Sequence, residues 1–238
     1  MSDCVLAPET GIERIIVTID ERGVRVRASA PLTVLSSAVV GGGFAEAREI
    51  VNMHVDDVRR DERPEQLLLA FATTLGIDEP FVGLMTAART ENARLARSTL
   101  DGLAVASVVS MGLSNRVCAG VSGPAPAADG IPAAGTINAI VIADARLTPA
   151  ALVNAVITAT EAKALALGAF DVRTDDGLPV SGTSTDAVVV ACTGRGRPLD
   201  YAGPATPVGH LIARTVREAT ERIGREQIAR DGGRRIDW

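Results

Sequence analysis

Aromatic residues make up only 3% of this 238-residue chain, so its core must be built from alanine, valine, leucine and isoleucine. A hydrophobic content of 47% is enough for that. Histidine is scarce too: His54 and His210 are the only two. They stand in no HxH or HExxH spacing, and Cys4, Cys118 and Cys192 form no CxxC pair, so no metal site is expected. Three widely spaced thiols cannot all pair, which indicates a reduced, cytoplasmic protein. There is no block of basic residues and the net charge is −5, which argues against a nucleic-acid partner. The start, MSDCVLAPETGIER, lacks the basic-then-apolar pattern of an export signal. No apolar run approaches the roughly 18 residues of a membrane span, so no membrane partner is expected. No G-x-G-x-x-G or phosphate-loop lysine follows the glycine run at 41–43, and no cofactor is expected. Lysine itself is almost missing: Lys163 is the only one among 24 basic residues.

What is present centres on residues 135–193. Ile137–Ala143 and Ala187–Cys192 are short apolar runs rich in β-branched residues, the pattern of buried strands. Between them Thr148 is placed to cap a helix, Pro149 fits its first position and Gly168 its end. The helix expected over 149–167 is apolar on most of its surface, as a buried central helix would be. One polar stripe interrupts it, since Asn154, Thr158 and Glu161 share a face at about 100° per residue. Lys163 lies two residues beyond Glu161, about 200° around, so the two cannot face one pocket. The favoured reading is that Lys163 snorkels or sits near the negative helix end, with a catalytic role the lesser alternative.

Each strand is introduced by a related phrase, Gly135-Thr136-Ile137-Asn138 and Gly182-Thr183-Ser184-Thr185-Asp186. Hydroxyl residues after glycine leave side-chain oxygens and backbone N–H groups free to meet a ligand. If the strands are neighbours, these phrases and the helix stripe converge on one pocket. The plainer reading is that the hydroxyls form turns, Asp186 accepts their hydrogen bonds and the stripe faces water.

Elsewhere, 13–19 and 23–29 read as a hairpin, and 32–40 is a further apolar run ended by Gly41-Gly42-Gly43. These glycines permit close approach of a ligand or a flexible strand exit. Asn52 and His54 precede a charged, solvated stretch at 56–62; a helix is expected over 64–75 and strands over 81–88 and 103–111. Thr86, Ser114 and Asn115 sit at or near strand ends. A small-residue loop spans 124–134, and the loop 169–181 has the length of a lid or binding loop. A basic turn follows at 194–197, then a long helix from about 207 to 230. The fold class expected is α/β: a single domain over 1–238, a mixed sheet with packed helices, the 149–167 helix the most buried. The composition permits a homodimer without specifying one.

At these same phrases the chain resembles the adenosylcobinamide amidohydrolases of cobamide salvage. The likeness rests on GTINAIVIADARLTPAALVNAVITATEAKALAL, GTSTDAVVVAC, Tyr201-Ala202-Gly203 and VGHLIARTV, with LSSAVVGGGF, Asn52-Met53-His54-Val55, VGLMTAA and GLSN upstream. It implies a corrinoid substrate whose aminopropanol amide is hydrolysed. Glu161 or Asp186 would then serve as general base on water or a hydroxyl. Asn138 would assist an oxyanion held by backbone N–H groups near Gly135 or Gly182. The substrate-binding set is Thr136, Asn154, Thr158, Thr183, Ser184, Thr185, Tyr201, Ser114, Asn115, Gly42 and Asn52. The family commonly has a histidine where this chain has Ala205. That departure motivates one alternative, a corrinoid-binding protein without the chemistry; an amidohydrolase acting on another amide is a further one.

Overall fold

The computed structural model describes residues 5–56, 63–123 and 135–230. Cys4, most of the charged stretch, the 124–134 loop and the C-terminal DGGRRIDW lie outside the described residues. The elements run β1 (Ile15–Ile19), β2 (Gly23–Ser36), β3 (Gly43–His54), α1 (Pro64–Thr74), β4 (Phe81–Thr86), β5 (Arg94–Leu100) and β6 (Leu103–Met111). They continue with β7 (Arg116–Val117), β8 (Ile137–Ala143), β9 (Arg146–Leu147), α2 (Pro149–Gly168), β10 (Gly182–Thr183), β11 (Ala187–Cys192), β12 (Pro198–Leu199) and α3 (Pro207–Arg230).

Eight strands form one mixed sheet in the order β4-β3-β2-β11-β8-β6-β5, with β1 added on β2. The α/β class expected from the sequence is the one observed. β8 and β11 are parallel neighbours joined through α2. The 23–29 arm and the 32–40 run are not separate strands: β2 is one long strand with a shift of register between Arg27 and Leu32. Pro31 lacks the N–H a ladder requires, so the chain bulges and bends there. The first half of β2 pairs with β1 and the second half with β11. The bend packs Val24 and Val26 in one apolar cluster with Ile140, Ile142, Val189 and Ala191. It also brings the far end of β3 to the start of β8, which matters for the site.

The other sheet face carries α2 and α3. Val141, Ala143, Val190 and Cys192 pack against Ala151, Leu152, Ala155, Ala159, Leu211 and Ile212. Thr148 caps α2 by accepting the Ala151 N–H at 3.3 Å. Among the described residues α2 is the one helix long and apolar enough to cross a membrane, yet half of it is buried in this core. It is the central buried helix expected, although Val153, Ile157 and Leu165 on its outer side are exposed. Strands β3 and β5 were not expected. In β3 the inward positions Ala45 and Ala47 are too small to set up a visible apolar alternation against Glu46 and Arg48.

Candidate active site

Because β8 and β11 run parallel, with Asn138 paired to Ala187, their two introductory phrases enter the sheet side by side. Asp186 joins them. One carboxylate oxygen, Oδ1, accepts the Ile137 N–H at 2.9 Å and the Thr183 hydroxyl; the other, Oδ2, accepts the Thr183 N–H at 3.1 Å and the Lys163 ammonium. The side chains of Lys163 and Asp186 are only 8% and 14% exposed, so solvent screens their attraction little. A buried ammonium requires such a counter-charge.

Both glycines are demanded by polar groups lying against them. A Cβ on Gly182 would fall 2.3 Å from Asp186 Oδ2 and 2.7 Å from Lys163 Nζ, and one on Gly135 would fall 2.4 Å from Ser114 Oγ and 2.7 Å from Asn115 Oδ1. Asn115 in turn donates from Nδ2 to Ser184 Oγ at 2.9 Å and to Thr185 Oγ1 at 3.3 Å, and Thr185 Oγ1 donates to the Gly135 carbonyl at 2.8 Å.

Beneath this layer runs a buried relay. Thr136 Oγ1 lies 2.8 Å from the Thr185 carbonyl and 3.0 Å from Asn138 Oδ1, two acceptors for its single proton. Asn138 Nδ2 donates to Asn52 Oδ1 and to the Met85 carbonyl, both at 2.8 Å. Asn52 Nδ2 donates to Ser110 Oγ at 2.9 Å. Asn52, Ser110 and Asn138 are each 1% exposed, so the bonds linking these three sit in a low-dielectric core where breaking one is costly. The relay gives the strand entrances a rigid bed.

The structure thus brings together Asn52, Ser114, Asn115, Thr136, Asn138, Thr183, Ser184, Thr185 and Asp186. It separates the others. Glu161 is exposed, because the α2 face that meets Asp186 is the one carrying Lys163, about 200° away. The expected meeting of Glu161 with Asp186 does not occur. Thr158 donates to the Ala202 carbonyl at 2.8 Å, and Asn154, half-buried one turn earlier, lies still farther from the Lys163 end of α2. Gly42 belongs to the exposed β2–β3 turn, where a Cβ would lie 2.4 Å from the Ala38 carbonyl. Tyr201 is exposed in a cleft of about 520 Å³ with Asp144, Arg195 and Thr206, beyond the carboxyl ends of β8 and β11. Asp186 precedes β11, so Tyr201 and the neighbouring Ala205 stand at the opposite end of these strands. Three backbone donors near these glycines are engaged: Ile137 and Thr183 N–H point to Asp186, and Ser184 N–H donates to the Asn115 carbonyl at 3.2 Å.

Two members of the site escaped the sequence reading. Lys163 carried a signal, being the only lysine, but its face of an almost uniformly apolar helix could not be told from periodicity. Ser110 sits inside the apolar run of β6 and carried none. Among the described residues no group of three His, Cys, Asp or Glu side chains is placed to hold a metal ion.

The family model for adenosylcobinamide amidohydrolase (CbiZ) matches residues 9–232. An adenosylcobinamide amidohydrolase of Methanosarcina mazei is 32% identical over 189 residues, covering 76% of this chain and 84% of that protein. One of Halobacterium salinarum is 40% identical over 139 residues, covering 57% of this chain and 55% of that protein. The crystal structure of the PH0078 protein from Pyrococcus horikoshii OT3 superposes with a TM-score of 0.51 at 12% identity, over 92% of this chain and 81% of that one, a likeness of fold alone. With nearly its whole length matched, the chain belongs to the adenosylcobinamide amidohydrolase family.

Proposed function

We propose that this protein hydrolyses the amide joining the aminopropanol arm to the corrin ring of adenosylcobinamide, releasing adenosylcobyric acid and aminopropanol in corrinoid salvage. The observation that carries the reading is the buried Lys163–Asp186 pair held against the Thr183 hydroxyl at the paired strand entrances. Cleaving an unactivated amide requires a base for the attacking group, charge opposite the oxyanion and a proton for the departing amine. Asp186 receives the attacking group's proton and returns it to the amine nitrogen. Lys163 has three N–H donors, of which Asp186 takes one; another faces the carbonyl oxygen as its charge develops. Asn138, Asn52 and Ser110 hold Thr136 and the strand starts in place. Glu161 has no part in this chemistry, and Tyr201 none in binding the amide.

The histidine that the family resemblance implies at the position of Ala205 supports the alternative of a corrinoid-binding protein without catalysis. Its place at the far end of β8 and β11 weakens that alternative, since nothing in the Thr183–Asp186–Lys163 group is lost with it. Incubating the pure protein with adenosylcobinamide and assaying aminopropanol by mass spectrometry decides. Release supports the enzyme, a shifted corrin spectrum without release supports the binder, and neither points to a different amide.

A further inference from the structure

We infer that Thr183 is the covalent nucleophile of this site, an assignment that rests on the amidohydrolase reading above. The lone pairs of Asp186 decide it. An ionised carboxylate has about four acceptor positions, and here they take two backbone N–H groups, one ammonium and one hydroxyl. A water activated by Asp186 would first have to displace one of these donors. The Thr183 hydroxyl is already in place, with its proton on the line to Oδ1. The backbone donors are fixed by the strand starts, and the ammonium is held by its charge, so the proton positioned for transfer is that of Thr183.

The exposure of Thr183 fits a particular substrate shape. At 7% exposed, it is reached by a slender arm and not by a macrocycle. A side-chain amide projecting from a bulky ring meets that requirement, and the bulk stays outside, over the exposed Ser184 and Thr185.

The steps balance. Thr183 Oγ1 bonds to the amide carbon while its proton passes to Asp186 Oδ1, and the carbonyl oxygen becomes an oxyanion opposite Lys163. The carbon–nitrogen bond then breaks, the amine nitrogen takes the proton from Asp186, and the acyl group remains as an ester on Thr183. Water attacks that ester, giving one proton through Asp186 back to Thr183 Oγ1 and leaving the carboxylic acid. The sum is amide plus water to acid plus amine.

Wild type, Thr183→Ala and Thr183→Ser are compared for aminopropanol release from adenosylcobinamide, with thermal melts to establish folding. Each is also treated with p-nitrophenyl acetate and its peptides are mapped by mass. The expected result is a loss of about a thousandfold or more in kcat for Thr183→Ala, partial recovery in Thr183→Ser, and one acetyl group on the peptide holding residue 183, absent from Thr183→Ala. Folded Thr183→Ala turning over within tenfold of wild type overturns the assignment. If wild type releases no aminopropanol, the substrate reading fails. The acetylation map then decides the nucleophile alone: label on residue 183 upholds it, and no label there overturns it.

Discussion

Gly182 and Lys163 approach so closely that no side chain fits between them: a Cβ on Gly182 would stand 2.7 Å from Lys163 Nζ and nearer still, 2.3 Å, to Asp186 Oδ2. The lysine tip can swing away, but only by leaving its carboxylate in a nearly dry setting. Gly182→Ala is therefore expected to lower stability by about 1–3 kcal/mol, the usual cost of overpacking, and to lower turnover by more than tenfold. Urea unfolding beside an activity assay checks both. An alanine variant as stable and active as wild type would mean that the pair does not occupy this space.

Lys163 and Glu161 exchange the roles that helix composition suggests. Glu161→Gln is expected to retain turnover within about twofold, as exposed surface substitutions normally do. Lys163→Met removes one partner of a buried pair and is expected to cost about 3 kcal/mol or more. Equilibrium unfolding of the two variants, with kcat for each, separates them; the reverse ranking would return Glu161 to the site.

The difference between the expected and observed faces of α2 has a physical cause. Helical periodicity places Glu161 and Lys163 on different faces, and that much is observed. It cannot tell which face meets the sheet when apolar residues such as Val153, Ile157 and Leu165 also cover the solvent side. The strand entrances were legible because glycine followed by hydroxyls is a local signal, and both glycines proved to be steric requirements. The contact between Asn52 and Asn138 was not legible as a contact, although each residue stood out. It depends on the bend of β2 around Pro31 and on the register shift there, a long-range consequence of one local irregularity. Ser110 was hidden for the opposite reason, a polar residue inside an apolar strand.

The Asn52 relay has its own test. Asn52→Ala leaves the Asn138 amide and Ser110 hydroxyl without a shared partner in a core where each is 1% exposed. Asn138 keeps its bond to the Met85 carbonyl, so the expected loss is about 1–2 kcal/mol, the cost of breaking buried hydrogen bonds, read as a lower urea midpoint. A change under about 0.5 kcal/mol would show that the relay adds little to the stability of the strand entrances.

Cysteine chemistry probes the core independently. Burial pushes the Cys192 thiol upward, so near neutral pH it is held as the unreactive thiol, while Cys118 is only half-buried. Iodoacetamide at pH 7.5 should label Cys118 at least roughly tenfold faster than Cys192, the thiolate being the nucleophile. Unfolding should equalise the two. Peptide mass spectrometry over time gives the rates; equal rates in the folded protein would contradict the packing of β11 against α2.

The most direct measurement is aminopropanol release from adenosylcobinamide by wild type and Asp186→Asn in parallel, with the corrin absorbance spectrum followed in both. The carboxamide keeps the shape of Asp186 but is a poor proton acceptor and no counter-charge for Lys163, so a thermal melt establishes that the variant is folded. The account predicts a loss of about a hundredfold or more in kcat, with the spectral shift of bound corrinoid retained. Release by the asparagine variant within tenfold of wild type would contradict it.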